Sequence, residues 1–252
     1  MKLLLDIGNS RIKVATLTEN GLSVYDPITV SAPDDHRRLC EVVAPLTAGL
    51  TTCLASSVAN PALNRAIEQS LSPLNIQWAS SQASAAGIIN GYPDPSQLGV
   101  DRWVSMLGLT RHFGRAHPPI VLASFGTATT VDTLSPTNRF EGGLILPGIT
   151  MMHQALASGT ANLPHTTGAI EAFPTNTVNA ISSGVVAAQI GAVTRQVTLA
   201  AQRFGQVPVL CVTGGARSAI MDALAACLPG AEIKELPHVV LEGLCMLAAA
   251  PD

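Results

Sequence analysis

The residues best equipped for chemistry stand near the start of the chain. Asp6 ends a short apolar run and is followed by Ile7-Gly8-Asn9-Ser10, with Arg11, Ile12 and Lys13 beyond. A carboxylate, a glycine turn and a cation in this spacing suit a nucleotide with magnesium. Glycine lets the backbone approach a phosphate without a Cβ in the way, turn N–H groups can face the anion, and a carboxylate can hold Mg2+ directly or through its waters. An ordinary hairpin with Asp6 and Asn9 as turn formers accounts for the same residues. A second small-residue turn, Ser124-Phe125-Gly126-Thr127-Ala128-Thr129-Thr130-Val131-Asp132, crowds hydroxyls where a phosphate could sit, although threonines in a strand also serve packing. A third, Val212-Thr213-Gly214-Gly215-Ala216, follows an apolar run and opens a helical stretch, as a nucleotide loop or as a plain strand-to-helix connection. Asp101 and Arg102 open a helix after Gly99-Val100, a position where such a pair serves as a cap and a surface ion pair. Neither GxxxxGK[ST] nor a GxGxxG after a strand occurs, which removes the two commonest nucleotide loops.

The elements that must position these residues read as alternating α/β. Lys2–Asp6 and Arg11–Leu17 form a hairpin about the first turn, and Ile120–Ser124 with Thr129–Leu134 form one about the second. Laid over each other, Asp6 falls on Ser124, Gly8 on Gly126 and Asn9 on Thr127, a pattern consistent with an internal repeat or with chance. Between them lie a strand at Thr52–Ser57, a helix at Pro61–Leu71, a strand at Ile76–Trp78 and a helix from Asp101 to Phe113. Glu141–Gly148 reads as a glycine-proline stretch before a helix to Ala157. An Ala-rich helix over Ala180–Phe204, a strand at Val207–Thr213 and helices at Ala216–Leu228 and Leu241–Ala249 close the chain.

Composition narrows the class. The chain has 252 residues, 47% hydrophobic and 12% charged, which predicts a buried core in two compact halves. Lys plus Arg number 14 against 17 Asp plus Glu, a net charge of -3, and no basic stretch prepares a nucleic-acid surface. The cysteines Cys40, Cys53, Cys211, Cys227 and Cys245 are widely spaced without a CxxC pair, so reduced, buried thiols are expected. The N-terminal apolar run is too short for a signal-peptide core, and no long apolar stretch suggests a membrane span. A cytoplasmic protein without nucleic-acid or membrane partners is expected.

Six segments taken in order carry a resemblance: DIGNSRIK (Asp6–Lys13), GYPDPSQLGVDRW (Gly91–Trp103), FGTATTVD (Phe125–Asp132), EGGLILPG (Glu141–Gly148), NTVNAISSG (Asn176–Gly184) and TGG (Thr213–Gly215). Together the chain resembles the type III pantothenate kinases of the actin-like superfamily that includes sugar kinases. The resemblance implies an α/β fold of two actin-like (ribonuclease H-like) lobes, mixed sheets flanked by helices, with an ATP cleft between them. The internal repeat, not the resemblance, sets the boundary near 115 and gives lobes at 1–115 and 116–252. The implied activity is phosphorylation of pantothenate to 4'-phosphopantothenate with Mg2+-ATP, the first step of coenzyme A biosynthesis. By the same resemblance Asp6, Ile7, Gly8, Asn9, Ser10, Arg11, Ile12, Lys13 and Thr127 bind ATP, with Asp6 in the Mg2+ environment. Asp101 is the base, and Tyr92, Gly99, Val100, Asp101, Arg102 and Thr177 contact pantothenate. Asp132 is a reserve metal or phosphate-side residue, with a core or turn role as the alternative.

The family is also homodimeric, its pantothenate pocket completed by the neighbouring subunit, and uses a monovalent cation, potassium or ammonium, held by an Asp. This chain has Ser124 at that Asp. A hydroxyl is a weaker cation ligand, so the expected site is weakened, lost or rescued by carbonyls. Two other readings remain: a related small-molecule kinase on the same fold, and a catalytically weakened accessory or regulatory protein.

Overall fold

Strands that bury one face and helices that cover it make two compact units in the computed structural model, which describes residues 1–30, 36–114, 116–161, 163–164 and 166–249. Unit 1 is Met1–Arg115 with His238–Asp252, and unit 2 is Ala116–Pro237. In chain order the elements are β1 (Lys2–Ile7), β2 (Arg11–Thr18), β3 (Gly21–Val24), β4 (Ile28–Thr29), α1 (His36–Val43), β5 (Thr52–Ser57), α2 (Pro61–Leu71), β6 (Ile76–Trp78), β7 (Ser84–Ala85), β8 (Ile88–Asn90) and α3 (Val100–Leu109). Then follow β9 (Ile120–Phe125), β10 (Ala128–Leu134), β11 (Arg139–Pro147), α4 (Ile149–Gly159), α5 (Thr177–Phe204), β12 (Val209–Thr213), α6 (Met221–Cys227), β13 (Ile233–Glu235) and α7 (Val239–Ala249).

In unit 1 the strand order is β3-β2-β1-β5-β6, with β4 on β2. β1 runs antiparallel to β2 and parallel to β5. Side chains alternate along a strand, so Leu3, Leu5 and Ile7 share one face with Ile12, Val14, Cys53 and Ala55. There they pack with Leu39 of α1 and with Ile67 and Leu71 of α2. Leu4 and Asp6 lie on the other face, against which α3 and α7 pack. The helices start where the sequence lets them: Asn60 caps α2, its Oδ1 accepting the Ala62 N–H at 2.8 Å, with Pro61 in the first turn.

In unit 2 the order β13-β12-β9-β10-β11 has the same directions: β9 antiparallel to β10 and parallel to β12. Val121, Ala123, Phe125, Val131, Leu210 and Val212 pack with Val186, Ile190, Val193 and Val197 of α5 and Leu224 of α6. The helix α5 is capped by Asn176, whose Oδ1 accepts the Asn179 N–H at 2.9 Å, and ends at Gly205 in the left-handed conformation.

The structure departs from the sequence reading in several places. The second lobe was drawn to residue 252, whereas α7 packs on α3 in unit 1. Glu141–Gly148, which reads as a glycine-proline stretch, belongs up to Pro147 to strand β11. The paired glycines hide the alternation, and a register shift at Thr133/Leu134 places an irregularity opposite Gly142. The short elements β3, β4, β7, β8, β13 and α1 have no counterpart in the sequence reading. Among the described residues one helix, α5, is long and apolar enough to cross a membrane by length and composition. Its buried residues recur at helical spacing, and those in the core pack against the unit 2 sheet, the pattern of a core helix. Cys53, Cys211 and Cys245 are buried, but Cys227 is exposed and Cys40 is half-buried. Burial pushes the Cys53 and Cys211 thiols up to about 12.

Candidate active site

In unit 1 the first glycine turn is closed by the Gly8 N–H donating to Arg11 O at 2.9 Å, which sets Asp6 opposite Lys13 across the hairpin. Residues directly opposite point to the same face, and Lys13 Nζ lies 3.2 Å from Asp6 Oδ2. Ile7 and Ile12 are buried in the core, so only their backbone remains for a ligand, while Asn9, Ser10 and Arg11 are exposed. Ser56 stands beside Asp6 on β5, fully buried, its hydroxyl without a protein partner. Burial raises the Asp6 pKa above its ordinary value; Lys13 opposes this by charge and hydrogen bond, and the Asp101 carboxylate adds to it.

That last effect places Asp101 near Asp6. Asp101 sits in the first turn of α3, where the helix N-terminus favours a carboxylate, and its Oδ1 accepts the Arg102 N–H at 2.8 Å. A Cβ on Gly99 would come within 2.9 Å of the same Oδ1, so only glycine leaves the carboxylate where it is. Arg102 is 6% exposed, which sets aside the reading of the pair as a surface ion pair. Its Nη1 lies 3.4 Å from the Tyr92 hydroxyl. Tyr92 is held by a residue that sequence reasoning missed: Asn90, buried at the end of β8, accepts the Tyr92 N–H on Oδ1 at 3.0 Å. The only sequence signal was the Asn-Gly step before Tyr92. Farther along, Asp94 caps the turn Pro95–Gln97, and the Ser96 hydroxyl holds its carboxyl below the usual range.

In unit 2 the second and third glycine turns come together. The Ala216 N–H donates to Phe125 O at 3.0 Å, and Gly214, at φ +94°, lies so close to the Phe125 backbone that a Cβ there would collide with it. The Gly148 N–H donates to Thr127 O at 3.0 Å, so Thr127 is held from below by the end of β11. Ser124 stands directly between Thr130 on β10 and Thr213 on β12, a row of three hydroxyls on one face of the sheet. Thr213 Oγ1 is buried without a protein partner. Asp132 lies farther along that face and is 1% exposed. Thr177, at the start of α5, lines an open apolar groove of about 620 Å³ with Met152, Leu156, Ile181 and Val185. Asp6, Lys13, Tyr92, Gly99, Asp101 and Arg102 thus belong to unit 1, and Ser124, Thr127 and Thr177 to unit 2.

Among the described residues no group of three or more His, Cys, Asp or Glu could form a metal cage. The Asp6 carboxylate, with only Lys13 as a direct ionic partner and Asp101 near it, nevertheless keeps oxygen atoms to offer. That suits a magnesium ion sharing its coordination with phosphates and water.

Comparisons with known proteins identify the fold and the family. The fold is shared with a proposed 2-dehydro-3-deoxygalactonokinase of Sinorhizobium meliloti at TM-score 0.61 and 16% identity, covering 98% of each chain. A glucokinase from an Antarctic psychrotroph aligns at TM-score 0.50 and 11% identity over 98% of this chain and 99% of its own. These likenesses show an actin-like α/β fold. In sequence, the type III pantothenate kinase of Bordetella petrii is 42% identical over 100% of this chain and 98% of its own length. That of an Azoarcus species is 39% identical over 99% of this chain and 91% of its own. The profile of the type III pantothenate kinase family matches residues 2–199, and the chain belongs to that family.

Proposed function

We propose that this chain phosphorylates the primary hydroxyl of pantothenate with ATP and that Asp101 is the base. The observation that carries the assignment is the fixed Asp101 carboxylate: Gly99 makes room for it, the Arg102 N–H holds Oδ1, and the α3 N-terminus favours its charge. Oδ2 is the atom assigned to receive the hydroxyl proton. The hydroxyl oxygen attacks the γ-phosphorus, the bond to the β–γ bridging oxygen breaks, ADP leaves with that electron pair, and the proton passes through Asp101 to solvent. Most of the catalysis in such a transfer is positioning and charge neutralisation. The turn Gly8–Ser10 offers backbone N–H groups to the phosphates and Lys13 a cation; the family resemblance assigns Thr127 to ATP as well. Asp6 would hold Mg2+, which when bound screens the phosphate charge. The Arg102 guanidinium, planar and buried, suits the pantothenate carboxylate, with Tyr92 beside it.

Each unit is read as one actin-like lobe. Homodimerisation is proposed on the family resemblance, with the apolar groove beside Thr177 on α5 as the feature that suits a second copy. The hydroxyl row of Ser124, Thr130 and Thr213 is proposed as a weakened site for potassium or ammonium.

The test is ADP release by the purified protein with Mg-ATP, with and without pantothenate. Asp101→Asn keeps the size of the side chain and is expected to lower kcat by about 100- to 10,000-fold. Pantothenate-independent ADP release, or an Asp101→Asn variant as fast as the parent, would overturn the assignment. ATP binding without turnover would favour an accessory role on the same fold.

A further inference from the structure

Asn90 makes three hydrogen bonds from a site only 6% exposed. Its N–H donates to Ala83 O at 2.9 Å, its Nδ2 donates to Gln82 O at 3.1 Å, and its Oδ1 accepts the Tyr92 N–H at 3.0 Å. The side chain therefore ties two stretches of backbone together, the one entering the β7–β8 hairpin and the one leaving it. Both ends of the amide are used, and an aspartate, lacking a donor, could keep the bond to Tyr92 but not the bond to Gln82. The stretch held in this way carries Tyr92, whose hydroxyl reaches Arg102 Nη1 at 3.4 Å. That distance is at the long limit of a hydrogen bond, so a displacement of a few tenths of an ångström breaks it. The Tyr92 backbone must be anchored for the contact to persist, and Asn90 supplies an anchor.

We infer that Asn90 is a positioning residue for pantothenate: it fixes Tyr92, and through the Tyr92 hydroxyl it sets the Arg102 guanidinium. The inference rests on the reading of Arg102 as the group that binds the pantothenate carboxylate. It separates Asn90 from the ATP-binding hairpin, because none of its three bonds touches Gly8–Lys13.

Steady-state kinetics on the full chain test this, with pantothenate varied at saturating Mg-ATP and the reverse, for the parent, N90A, N90D, Y92F and the double variants. N90A is expected to raise the pantothenate KM about tenfold, with kcat and the ATP KM changed less than about twofold. N90D, which keeps the acceptor for Tyr92, is expected to raise it only about threefold. In the Y92F background, where the hydroxyl is already gone, adding N90A should cost less than about twofold. An undiminished N90A effect in Y92F, an equal rise in the ATP KM, or an unchanged pantothenate KM overturns the inference. If N90A does not fold, N90D and N90D/Y92F decide it by the same comparison: a rise of equal size in both backgrounds overturns it. A parent that turns over pantothenate while its Asn90 variants stay flat removes this inference alone. A parent without pantothenate-dependent turnover removes the reading of Arg102 with it.

Discussion

The β1–β2 hairpin and the β9–β10 hairpin are built on one plan and equipped differently. In each, the first strand runs antiparallel to the second and parallel to a third, β5 in unit 1 and β12 in unit 2. In each, one face packs on helices, α1 and α2 in the first unit, α5 and α6 in the second. The opposite face carries, at matching places, Lys13–Asp6–Ser56 in unit 1 and Thr130–Ser124–Thr213 in unit 2. Even the third positions agree, since Ser56 Oγ and Thr213 Oγ1 are both buried without a protein partner. The face on α1 and α2 or on α5 and α6 dictates the frame, and it leaves these three positions of the opposite face free to differ. One copy holds at these positions a carboxylate–ammonium pair suited to a metal-bound phosphate; the other holds hydroxyls there, with Asp132 farther along the face.

The sharpest way to break that contrast is to give unit 1 the neutral row. Asp6→Asn is expected to lower turnover at fixed Mg2+ by about 100-fold or more, with rising Mg2+ restoring part of the loss. Stability should move the other way. The folded pKa of Asp6 is raised, so the folded state binds the proton more readily than the unfolded chain does. The ionised carboxylate therefore costs stability above the raised pKa, and that cost fades as pH falls to the ordinary carboxylate range. Without Mg2+, Asp6→Asn should melt higher than the parent at neutral pH, and the difference should narrow in acid. A parent that melts higher at neutral pH and lower in acid would reverse the sign and show Lys13, not burial, to be dominant.

The frame was legible in sequence because hydrophobic alternation and glycine turns are local signals. β5, α2 and β6 stand where their apolar runs and caps place them. Asp6, Gly8 and Lys13 were legible as a group because a hairpin brings near neighbours together. β11 escaped because Gly142 and Gly143 erase its alternation, and α7 was misassigned because nothing local tells a helix which core it will join. The partnership of Gly214 with Phe125 and of Asn90 with Gln82 was illegible for a related reason: each depends on a backbone carbonyl or backbone segment, which leaves no trace in residue type. The resemblance to a family supplied the role of Asp101; the reason for Gly99 beside it appeared only in the geometry.

The glycines sharpen the comparison at the next level. A Cβ on Gly8 would lie 3.3 Å from Arg11 O, a contact that a small shift relieves. A Cβ on Gly214 would collide with the Phe125 backbone, and φ +94° is itself unfavourable for alanine. Gly8→Ala is therefore expected to cost less than about 1 kcal/mol of stability and Gly214→Ala about 2–4 kcal/mol, measured by urea unfolding. Equal losses would mean that the second turn is no more tightly locked than the first.

The smallest effect is expected from giving unit 2 a charge. Ser124 lies between two threonine hydroxyls, and a carboxylate there would face no lysine across the strand, because Thr130 occupies the place that Lys13 holds in unit 1. Ser124→Asp would then lack an internal counter-charge, so a bound monovalent cation becomes its natural partner. Ligand charge is a main determinant of cation affinity, and the potassium concentration for half-maximal activation should fall about fivefold or more. The same variant should lose stability in potassium-free buffer and regain it as potassium is added, because an unpaired carboxylate is costly and a paired one is not. If potassium leaves both the turnover and the melting temperature of Ser124→Asp unchanged, the hydroxyl row is not a cation site, and the two hairpins share a frame without sharing an ion-binding role.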